Sequence, residues 1–476
     1  MTTRCCGIFL LWSGMAAAPA TAQSASAFPL DSIERLVRVE MAHEQIPGMS
    51  VLVMRGDSVL LSRGYGYANL ELGVPASDST VYQSGSIGKQ FTAALVLMLV
   101  EKGALRPDDP IVRFLPEGKT RWRGVTIRHL LNHTSGIPDY TDSTVDLHRE
   151  YSEDQLVRLA AGLPLAFAPG ENWSYSNTGY LLLGALIHRA TGSFYGDLLA
   201  KWLFQPLGMP SARIISEADI VPNRAAGYQL VRGTLANQDW VSPSLNTTAD
   251  GALYLSLRDY ARWTVALNHR KLPSGAVLDM AWTPARLNGG RVYPYGTGWI
   301  LLPQRAFANI GHTGSWQGFQ TSIQRYPQFD LSVVVLSNMG GSYPGPISQA
   351  IAGIVEPKLA APHTLPSEAA PGPVEARVKE TLRALAAGTL DTSGTTPAFR
   401  RFATRAWRKE LAGEATGVSV WESVGCDSLP VGLLVYLDSA IARTCYVRGI
   451  GAAAHFLANV YLSADDRIAG VETYRY

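Results

Sequence analysis

The chain has 476 residues and a formal net charge of +2, and 47% of its residues are hydrophobic while 17% are charged. This length predicts two or three domains with sizeable cores. The near-neutral charge and the lack of a basic run argue against a nucleic-acid partner and an anionic-membrane partner. The chain also lacks a Walker-type or dinucleotide-binding glycine loop, which argues against a nucleotide cofactor.

Residues 1–22 have the pattern of a secretory signal peptide. A short basic start ends at Arg4, residues 5–18 are apolar, and Ala20-Thr21-Ala22 forms a small-x-small cleavage site. We therefore expect a secreted or periplasmic mature chain with no stable membrane span after cleavage. An uncleaved membrane anchor is the alternative.

The first predicted elements are a helix and a hairpin. An apolar pattern that begins at Ile33 predicts a helix that ends before Pro47. Residues 49–54 and 59–67 are predicted to be two strands joined by a turn at Gly56.

A Ser-x-x-Lys motif follows, with Ser86 and Lys89 leading into an apolar segment that ends at Gly103. If a helix begins near Ser86, the lysine nitrogen can reach the serine hydroxyl, since residues three apart share a helix face. A serine is a weak nucleophile until a neighbouring base takes its proton, and a lysine shielded from water can have its pKa lowered enough to be that base. A solvated helix face is the ordinary alternative for an isolated motif of this kind.

Residues 126–138 are predicted to be a short helix that ends in a polar turn. Its His129 and His133 are four residues apart, which suits a metal ion. However, Leu130 stands where a zinc protease would carry its glutamate, and no third ligand is evident. We therefore expect structural histidines and no metal site.

The remaining part of the main region begins with a turn at residues 167–171, which precedes Tyr175-Ser176-Asn177. The further predicted elements are helices at 180–190, 202–207, 250–267 and 343–355, strands at 295–302, 308–311, 319–325 and 331–337, and turns at 311–315 and 327–330. Strands at both ends with helices between them predict an α/β (α+β) sandwich in which the first and last strands share one antiparallel sheet.

Residues 357–373 are rich in alanine and proline, which predicts a linker between a main domain at residues 29–356 and a small α+β domain at residues 374–476. The small domain resembles cystatin-like domains, in which a curled sheet surrounds a helix. Its Cys426 and Cys445 can either pair across neighbouring strands or stay as two buried thiols. Its predicted elements are helices at 374–387 and 398–412 and strands at 419–424, 432–437, 440–447, 455–462 and 468–474.

Three elements occur in a fixed order: Ser86-Ile87-Gly88-Lys89, Tyr175-Ser176-Asn177 and His312-Thr313-Gly314-Ser315. In this order they resemble the motifs of the serine β-lactamase and penicillin-binding protein superfamily. The likeness is to the branch that holds class C β-lactamases, D-alanyl-D-alanine carboxypeptidases and related esterases. It covers residues 30–355 and implies a β-lactamase/transpeptidase-like fold, with an antiparallel sheet flanked by helices.

The resemblance also implies a catalytic set. Ser86 would attack the substrate carbonyl and form an acyl-enzyme, and Lys89 would help to deprotonate the Ser86 hydroxyl. Tyr175 would work as a phenolate-type base and return a proton to the leaving group. No metal or organic cofactor would take part.

The same resemblance implies substrate-binding roles for the second and third elements. Asn177 would hydrogen-bond a substrate amide or the lysine, although capping the following helix is its ordinary alternative. The backbone N–H groups of Ser86 and Ser315 would hold the oxyanion, and Gly314 would let its strand approach the substrate closely.

Two departures from the superfamily narrow the function. No Ser-Asp-Asn motif occurs, so the class A arrangement with its separate glutamate base is not supported. His312, followed by Thr313, stands where most β-lactamases of the superfamily carry lysine, and a histidine is only partly cationic at neutral pH.

We therefore expect a carboxypeptidase or esterase type of hydrolase that acts on an ester, D-amino peptide or amide carbonyl of a small molecule or peptide. A β-lactamase proper, or a non-hydrolytic penicillin-recognising sensor or scaffold, is the alternative. The sequence does not indicate whether the protein is a monomer or an oligomer.

Overall fold

The computed structural model describes residues 28–141, 145–214, 219–360, 372–387, 389, 394–403, 418–429, 435–436, 439–451 and 455–475. The predicted signal peptide, residues 361–371 of the predicted linker and residues 404–412 of a predicted helix lie outside the described residues. Within the described ranges, no helix combines the length and the apolar character that crossing a bilayer requires.

Residues 28–360 hold most of the regular structure that is described. The helices are α1 Leu30–His43, α2 Lys89–Glu101, α3 Ile127–Leu131, α4 Glu153–Gly162, α5 Asn177–Thr191, α6 Tyr195–Leu199, α7 Gln205–Leu207, α8 Leu257–His269, α9 Gly275–Ala281 and α10 Pro344–Val355. The strands are β1 Gly48–Arg55, β2 Ser58–Asn69, β3 Val74–Pro75, β4 Tyr82–Gln83, β5 Arg213–Ile214, β6 Tyr228–Val231, β7 Thr234–Asn237, β8 Leu253–Leu255, β9 Ala285–Arg286, β10 Val292–Tyr293, β11 Ile310–Trp316, β12 Phe319–Tyr326 and β13 Leu331–Ser337.

The central sheet joins the two ends of this region. In the part of the chain that the structure describes, its strand order is β11-β12-β13-β1-β2-β3, with antiparallel neighbours throughout. Val51 of β1 pairs with Val335 of β13 on one side and with Arg63 of β2 on the other. The predicted sandwich is therefore confirmed, including the sheet shared by the first and last strands.

Helices cover both faces of this sheet. On one face α1 and α10 pack against the strands, and Ile33 and Ile351 are fully buried in the cluster that results. On the other face lie α2 and α8, and α2 is buried at every position from Lys89 to Leu99. Apart from Lys89, Gln90 and Thr92, the buried residues of α2 are apolar, as expected for a helix with no side that faces water.

The structure corrects two predicted elements around the sheet. Residues 295–302 are not a strand: Tyr295 and Ile300 form isolated bridges, and Gly298 reverses the chain with a φ of +76°. Residues 311–315 are not a turn but lie inside β11, and the turn comes after it, where Gly318 has a φ of +73°.

Two helices also differ from the prediction. The helix expected at 250–267 is preceded by strand β8 and begins at Leu257, where the side chain of Ser256 caps it. Helix α4 was not predicted, although Ser152 and Gln155 form a capping box at its start. That Ser-x-x-Gln spacing is the signal that sequence reading missed.

The C-terminal residues have their own hydrophobic cluster, in which Val378, Phe399 and Val460 are fully buried. Cys426 and Cys445 are cross-strand partners and form a disulfide, which settles the alternative left open by the sequence. The elements are α11 Pro373–Ala386, α12 Pro397–Phe402, β14 Val418–Ser428, β15 Val435–Tyr436, β16 Ser439–Gly451, β17 His455–Ser463 and β18 Ile468–Arg475.

Candidate active site

Ser86 lies in a 3₁₀ turn, Gly85–Gly88, that continues directly into α2. Lys89 is the first residue of α2, so the two residues of the motif are one turn apart. The Lys89 Nζ atom lies 3.0 Å from Ser86 Oγ. The predicted approach of lysine to serine is present in the structure.

Lys89 is fully buried, and its ammonium group has three hydrogen-bond acceptors around it. Besides Ser86 Oγ, these are Asn177 Oδ1 at 2.7 Å and the backbone oxygen of Asp250 at 2.6 Å. Burial lowers the pKa of Lys89 to about 8, against the opposing effect of the Asp250 and Asp139 carboxylates. About a tenth of Lys89 is then neutral at pH 7, which is enough to act as a base for the serine.

Asn177 is held in place by a residue that sequence reasoning missed. Its backbone nitrogen donates to Asp139 Oδ2 at 2.6 Å, and its side-chain nitrogen donates to the same oxygen at 3.0 Å. The N-cap of α5 is Ser176, whose hydroxyl accepts from the Gly179 nitrogen. Asn177 is therefore not the helix cap, and its amide oxygen is available to Lys89.

Asp250 is a second carboxylate that was not predicted. It is buried, which raises its pKa, and the Tyr140 hydroxyl donates to its Oδ2 at 2.9 Å. Asp139 and Asp250 both come from loops, where a single carboxylate has no distinctive sequence pattern. Together they place negative charge near the Lys89 ammonium.

The Tyr175 ring lies over the lysine, with Lys89 Nζ 4.9 Å from the ring centroid. Its hydroxyl is buried and interacts with Ser86, but no hydrogen bond of normal geometry joins it to a described residue. Burial raises the pKa of Tyr175 well above its usual value of 10. The resting side chain is thus a neutral phenol, which disfavours the phenolate-type base expected from the sequence and leaves Lys89 as the better base.

An aromatic cluster around His133 supports Tyr175. The His133 ring centroid lies 4.3 Å from that of Tyr175 and 4.7 Å from that of Tyr295. His133 Nδ1 accepts from the Ser176 nitrogen at 3.2 Å, and burial lowers the pKa of His133 well below 6.5. This histidine is therefore neutral and serves to pack the tyrosines.

His129 has a different local role, since its Nδ1 accepts from the Thr126 nitrogen at 3.1 Å and completes a capping box for α3. Within the ranges that the structure describes, neither histidine of the His-x-x-x-His pair approaches a third ligand. Among the described residues, no group of three or more His, Cys, Asp and Glu side chains is arranged to hold a metal ion.

His312 is also neutral. Its Nδ1 lies 2.5 Å from the backbone oxygen of Thr313, so this nitrogen carries the proton, and its Nε2 accepts from the Tyr295 hydroxyl at 3.1 Å. Burial lowers the pKa of His312 to about 3. The structure therefore gives this position less positive charge than the partial charge expected from the sequence.

Strand β11 lies directly against the serine turn at Gly314. A Cβ atom on Gly314 would lie 2.0 Å from the Ser84 backbone oxygen and 3.0 Å from the Ser86 nitrogen. On the other side of this contact, a Cβ on Gly85 would lie 2.5 Å from the Ser315 nitrogen. The backbone nitrogens predicted to form the oxyanion hole thus belong to segments in direct contact.

The side chains of Thr313 and Ser315 point away from this contact, because successive residues of a strand face opposite sides. The Thr313 methyl group lies 3.2 Å from the position that a Cβ on Gly345 of α10 would take. The Ser315 hydroxyl accepts from Gln320 Nε2 at 3.0 Å. The structure therefore brings together Ser86, Lys89, Tyr175, Asn177, His312 and Gly314 with the backbone of Ser315, and not the Thr313 side chain.

The fold and this geometry define a serine acyl-transfer site built on Ser-x-x-Lys. The family model described as Beta-lactamase matches residues 33–353, about two thirds of the chain. The chain belongs to the β-lactamase family, as its resemblance suggested, and is a β-lactamase-like serine hydrolase.

One curated relative agrees with this assignment, and two solved structures share the fold. Penicillin-binding protein 4* of Bacillus subtilis (strain 168) is 33% identical over 307 residues, which are 61% of this chain and 67% of that protein. The octameric penicillin-binding protein homologue from Pyrococcus abyssi has a TM-score of 0.61 at 24% identity, with 94% of this chain and 96% of that chain covered. The D-amino acid amidase from Ochrobactrum anthropi SV3 has a TM-score of 0.58 at 23% identity, with 69% and 97% covered.

Proposed function

We propose that this protein is an exported hydrolase that cleaves a carboxylic ester or amide bond through an acyl-enzyme on Ser86. The observation that carries the proposal is the 3.0 Å approach of Lys89 Nζ to Ser86 Oγ. Lys89 is fully buried there, and its pKa is lowered to about 8. A general base needs both this reach and a pKa near the working pH.

Acylation follows from these positions. Neutral Lys89 takes the Ser86 proton while Oγ attacks the carbonyl carbon, and the new ammonium keeps its hydrogen bond to Asn177. The negative charge that develops on the carbonyl oxygen is held by the backbone N–H groups of Ser86 and Ser315, a contribution of several kcal/mol in comparable sites.

The tetrahedral intermediate then breaks the bond to the leaving group. The neutral phenol of Tyr175 donates a proton to the departing nitrogen or oxygen, and Lys89 returns its proton to the phenolate. A water molecule then attacks the acyl carbon and transfers a proton to Lys89. When the bond between that carbon and Ser86 Oγ breaks, Lys89 returns the proton to Oγ and the acid is released. This cycle regenerates both side chains without a metal or an organic cofactor.

We infer the substrate class from His312. A neutral histidine at this position of β11 cannot form an ion pair with a substrate carboxylate, which favours an ester or a D-amino acyl amide over a β-lactam. The structural likeness to a D-amino acid amidase supports the amide. The likeness to a penicillin-binding protein makes a D-alanyl-D-alanine peptide the competing substrate.

The test is time-resolved mass spectrometry of the intact chain with a penicillin, an uncharged p-nitrophenyl ester, D-alanine p-nitroanilide and a D-alanyl-D-alanine peptide. We expect a transient acyl adduct on Ser86 with the ester and the anilide, and turnover of both. Ser86→Ala should abolish adduct and turnover, while Ser419→Ala, at an exposed serine far along the chain, should change neither. Full activity of the Ser86→Ala variant would contradict the proposal.

We also propose that the mature chain is secreted or periplasmic. The signal-like pattern of residues 1–22 and the disulfide between Cys426 and Cys445 both suit an oxidising compartment. N-terminal sequencing of the protein from fractionated cells should give a chain that starts near Gln23 outside the cytoplasm. An uncut chain confined to the cytoplasm would contradict this.

A further inference from the structure

A pocket of about 360 Å³ lies at the end of the central sheet that is remote from Ser86. Arg325 lines it from β12, the strand on which Thr321 donates to the Ser84 backbone oxygen beside the nucleophile. Four residues of extended chain separate Thr321 from Arg325, roughly 13 Å. The pocket is therefore distinct from the candidate active site.

Arg325 is a buried cation with no counter-charge among the described residues. The residue is only 7% exposed, and the one side-chain hydrogen bond that it makes within the described ranges runs from Nη2 to Asn268 Oδ1 at 2.7 Å. Its Nε and Nη1 atoms are buried and have no acceptor among the described residues, and no described carboxylate forms an ion pair with it. Burial lowers the pKa of Arg325 to about 10, so it stays charged at neutral pH.

A buried guanidinium with unused N–H groups lowers the stability of the fold unless an acceptor binds to it. An unpaired buried charge and unsatisfied buried donors each destabilise a folded protein. A guanidinium presents its N–H groups in a rigid fork that matches the oxygens of a carboxylate or a phosphate. A carboxylate or a phosphate group would therefore satisfy both the charge and the unused donors of Arg325.

Trp282 adds a further donor at the same pocket. Its ring lies 5.3 Å from the Arg325 guanidinium carbon, measured to the ring centroid. Its indole Nε1 is also buried and has no acceptor among the described residues. An indole nitrogen can only donate, so Trp282 and Arg325 together offer three unused nitrogen donors and no unused acceptor.

The other charged groups that line the pocket are engaged or exposed. Arg270 forms an ion pair with Asp279, and Asp57 accepts hydrogen bonds from His269 and Asn268. Asp330 lines the pocket with an exposed side chain. Neither Asp57 nor Asp330 is bonded to Arg325, so the charge of Arg325 remains available to a ligand.

We propose that this pocket binds the oxyanion group of a small molecule, a carboxylate or a phosphate, through Arg325 and Trp282. The donors for this group are the unused N–H groups of Arg325 and Trp282. Binding here involves no covalent step and does not depend on the reaction at Ser86.

Isothermal titration of the full mature chain with inorganic phosphate, and separately with acetate, tests this at constant ionic strength set with sodium chloride. We expect saturable binding of at least one of them, and which anion binds tells phosphate from carboxylate. Arg325→Met should weaken that binding at least tenfold, since hydrogen bonds to charged groups are worth this much. Arg123→Met, which removes an exposed arginine elsewhere, should bind like the wild type.

A second variant keeps the test decisive if Arg325→Met does not fold. Trp282→Phe keeps a ring beside the guanidinium but removes the indole N–H, and we expect it to weaken anion binding about tenfold. The proposal is overturned if the wild type binds neither phosphate nor acetate in a saturable way. It is also overturned if the folded variants of Arg325 and Trp282 bind as tightly as the wild type.

Discussion

The Asp139 carboxylate accepts two hydrogen bonds from Asn177, one from its backbone nitrogen at 2.6 Å and one from its side-chain nitrogen at 3.0 Å. Because the side-chain nitrogen is engaged in this way, the amide oxygen of Asn177 is turned towards Lys89. Asp139 thus orients the group that receives the lysine ammonium, although it does not touch the nucleophile Ser86 itself.

Replacing Asp139 by alanine tests this positioning role. We expect kcat/KM to fall about tenfold or more, since one charge-assisted hydrogen-bond pair that orients Asn177 is lost. The pKa of Lys89 should also fall, because the Asp139 charge raises it, so the rising limb of the pH profile should move to lower pH. The exposed Asp108→Ala variant is the matched control. A pH profile that does not move would show that the Asp139 charge does not act on Lys89.

The pH dependence of the wild type follows from Lys89. Only the neutral amine can accept the serine proton, and its pKa is lowered to about 8 by burial. With an uncharged ester, kcat/KM should therefore rise about tenfold per pH unit below 8 and level off above it. Lys89→Arg should lose this limb together with at least a hundredfold of the rate. A limb that persists in Lys89→Arg would assign the base to another group.

Tyr175→Phe separates two possible roles of the phenol. As a proton donor to the leaving group, Tyr175 should matter most for an anilide or peptide, whose amine cannot leave without a proton. We expect acylation by D-alanine p-nitroanilide to slow 10²–10⁴-fold and acylation by a p-nitrophenyl ester to slow much less. An equal loss with both substrates would instead support a role of Tyr175 in deprotonating Ser86.

The sequence predicted the parts of this site that are local. Ser86 and Lys89 lie one turn apart, so helix geometry alone brings their side chains together. The fold class also followed, because the order of strands and helices along the chain limits how one sheet can be assembled. The contact of Asp250 with Lys89 was not predictable, because Asp250 accepts the lysine hydrogen bond with its backbone oxygen, which any residue type could provide.

Burial explains the other differences. His312 is neutral because the packed protein shields it from water and because the Tyr295 hydroxyl occupies its Nε2 atom. The sequence Gly311-His312-Thr313 predicts neither of these contacts. The glycines of β11 resemble a turn in sequence, yet Gly314 is needed because the strand touches the Ser84 backbone. A glycine pattern alone does not distinguish a bend from a close approach.

Exchanging His312 for lysine should change substrate preference. A permanent cation on β11 would attract a substrate carboxylate, whereas the neutral histidine does not. We expect His312→Lys to raise the rate of acylation by penicillin, relative to that by the uncharged ester, about tenfold. His312→Gln, which stays neutral, serves as the control and should leave this ratio near the wild-type value. Equal ratios in the two variants would remove His312 from the choice of substrate.

Gly314→Ala probes the contact between β11 and the serine turn. Its Cβ would lie 2.0 Å from the Ser84 backbone oxygen and 2.4 Å from Thr321 Oγ1, so the strand has to move away. Since that movement separates the Ser315 nitrogen from Ser86, we expect kcat to drop about 10²–10³-fold, the cost of losing one oxyanion donor.

Gly162→Ala is the matched control for this substitution, because nothing lies within 4 Å of its Cβ position at the end of α4. That variant should keep full activity and gain up to about 1 kcal/mol in the free energy of unfolding. Circular dichroism and thermal unfolding would show whether Gly314→Ala is still folded. A folded Gly314→Ala enzyme with wild-type kcat would mean that the backbone of β11 does not hold the oxyanion.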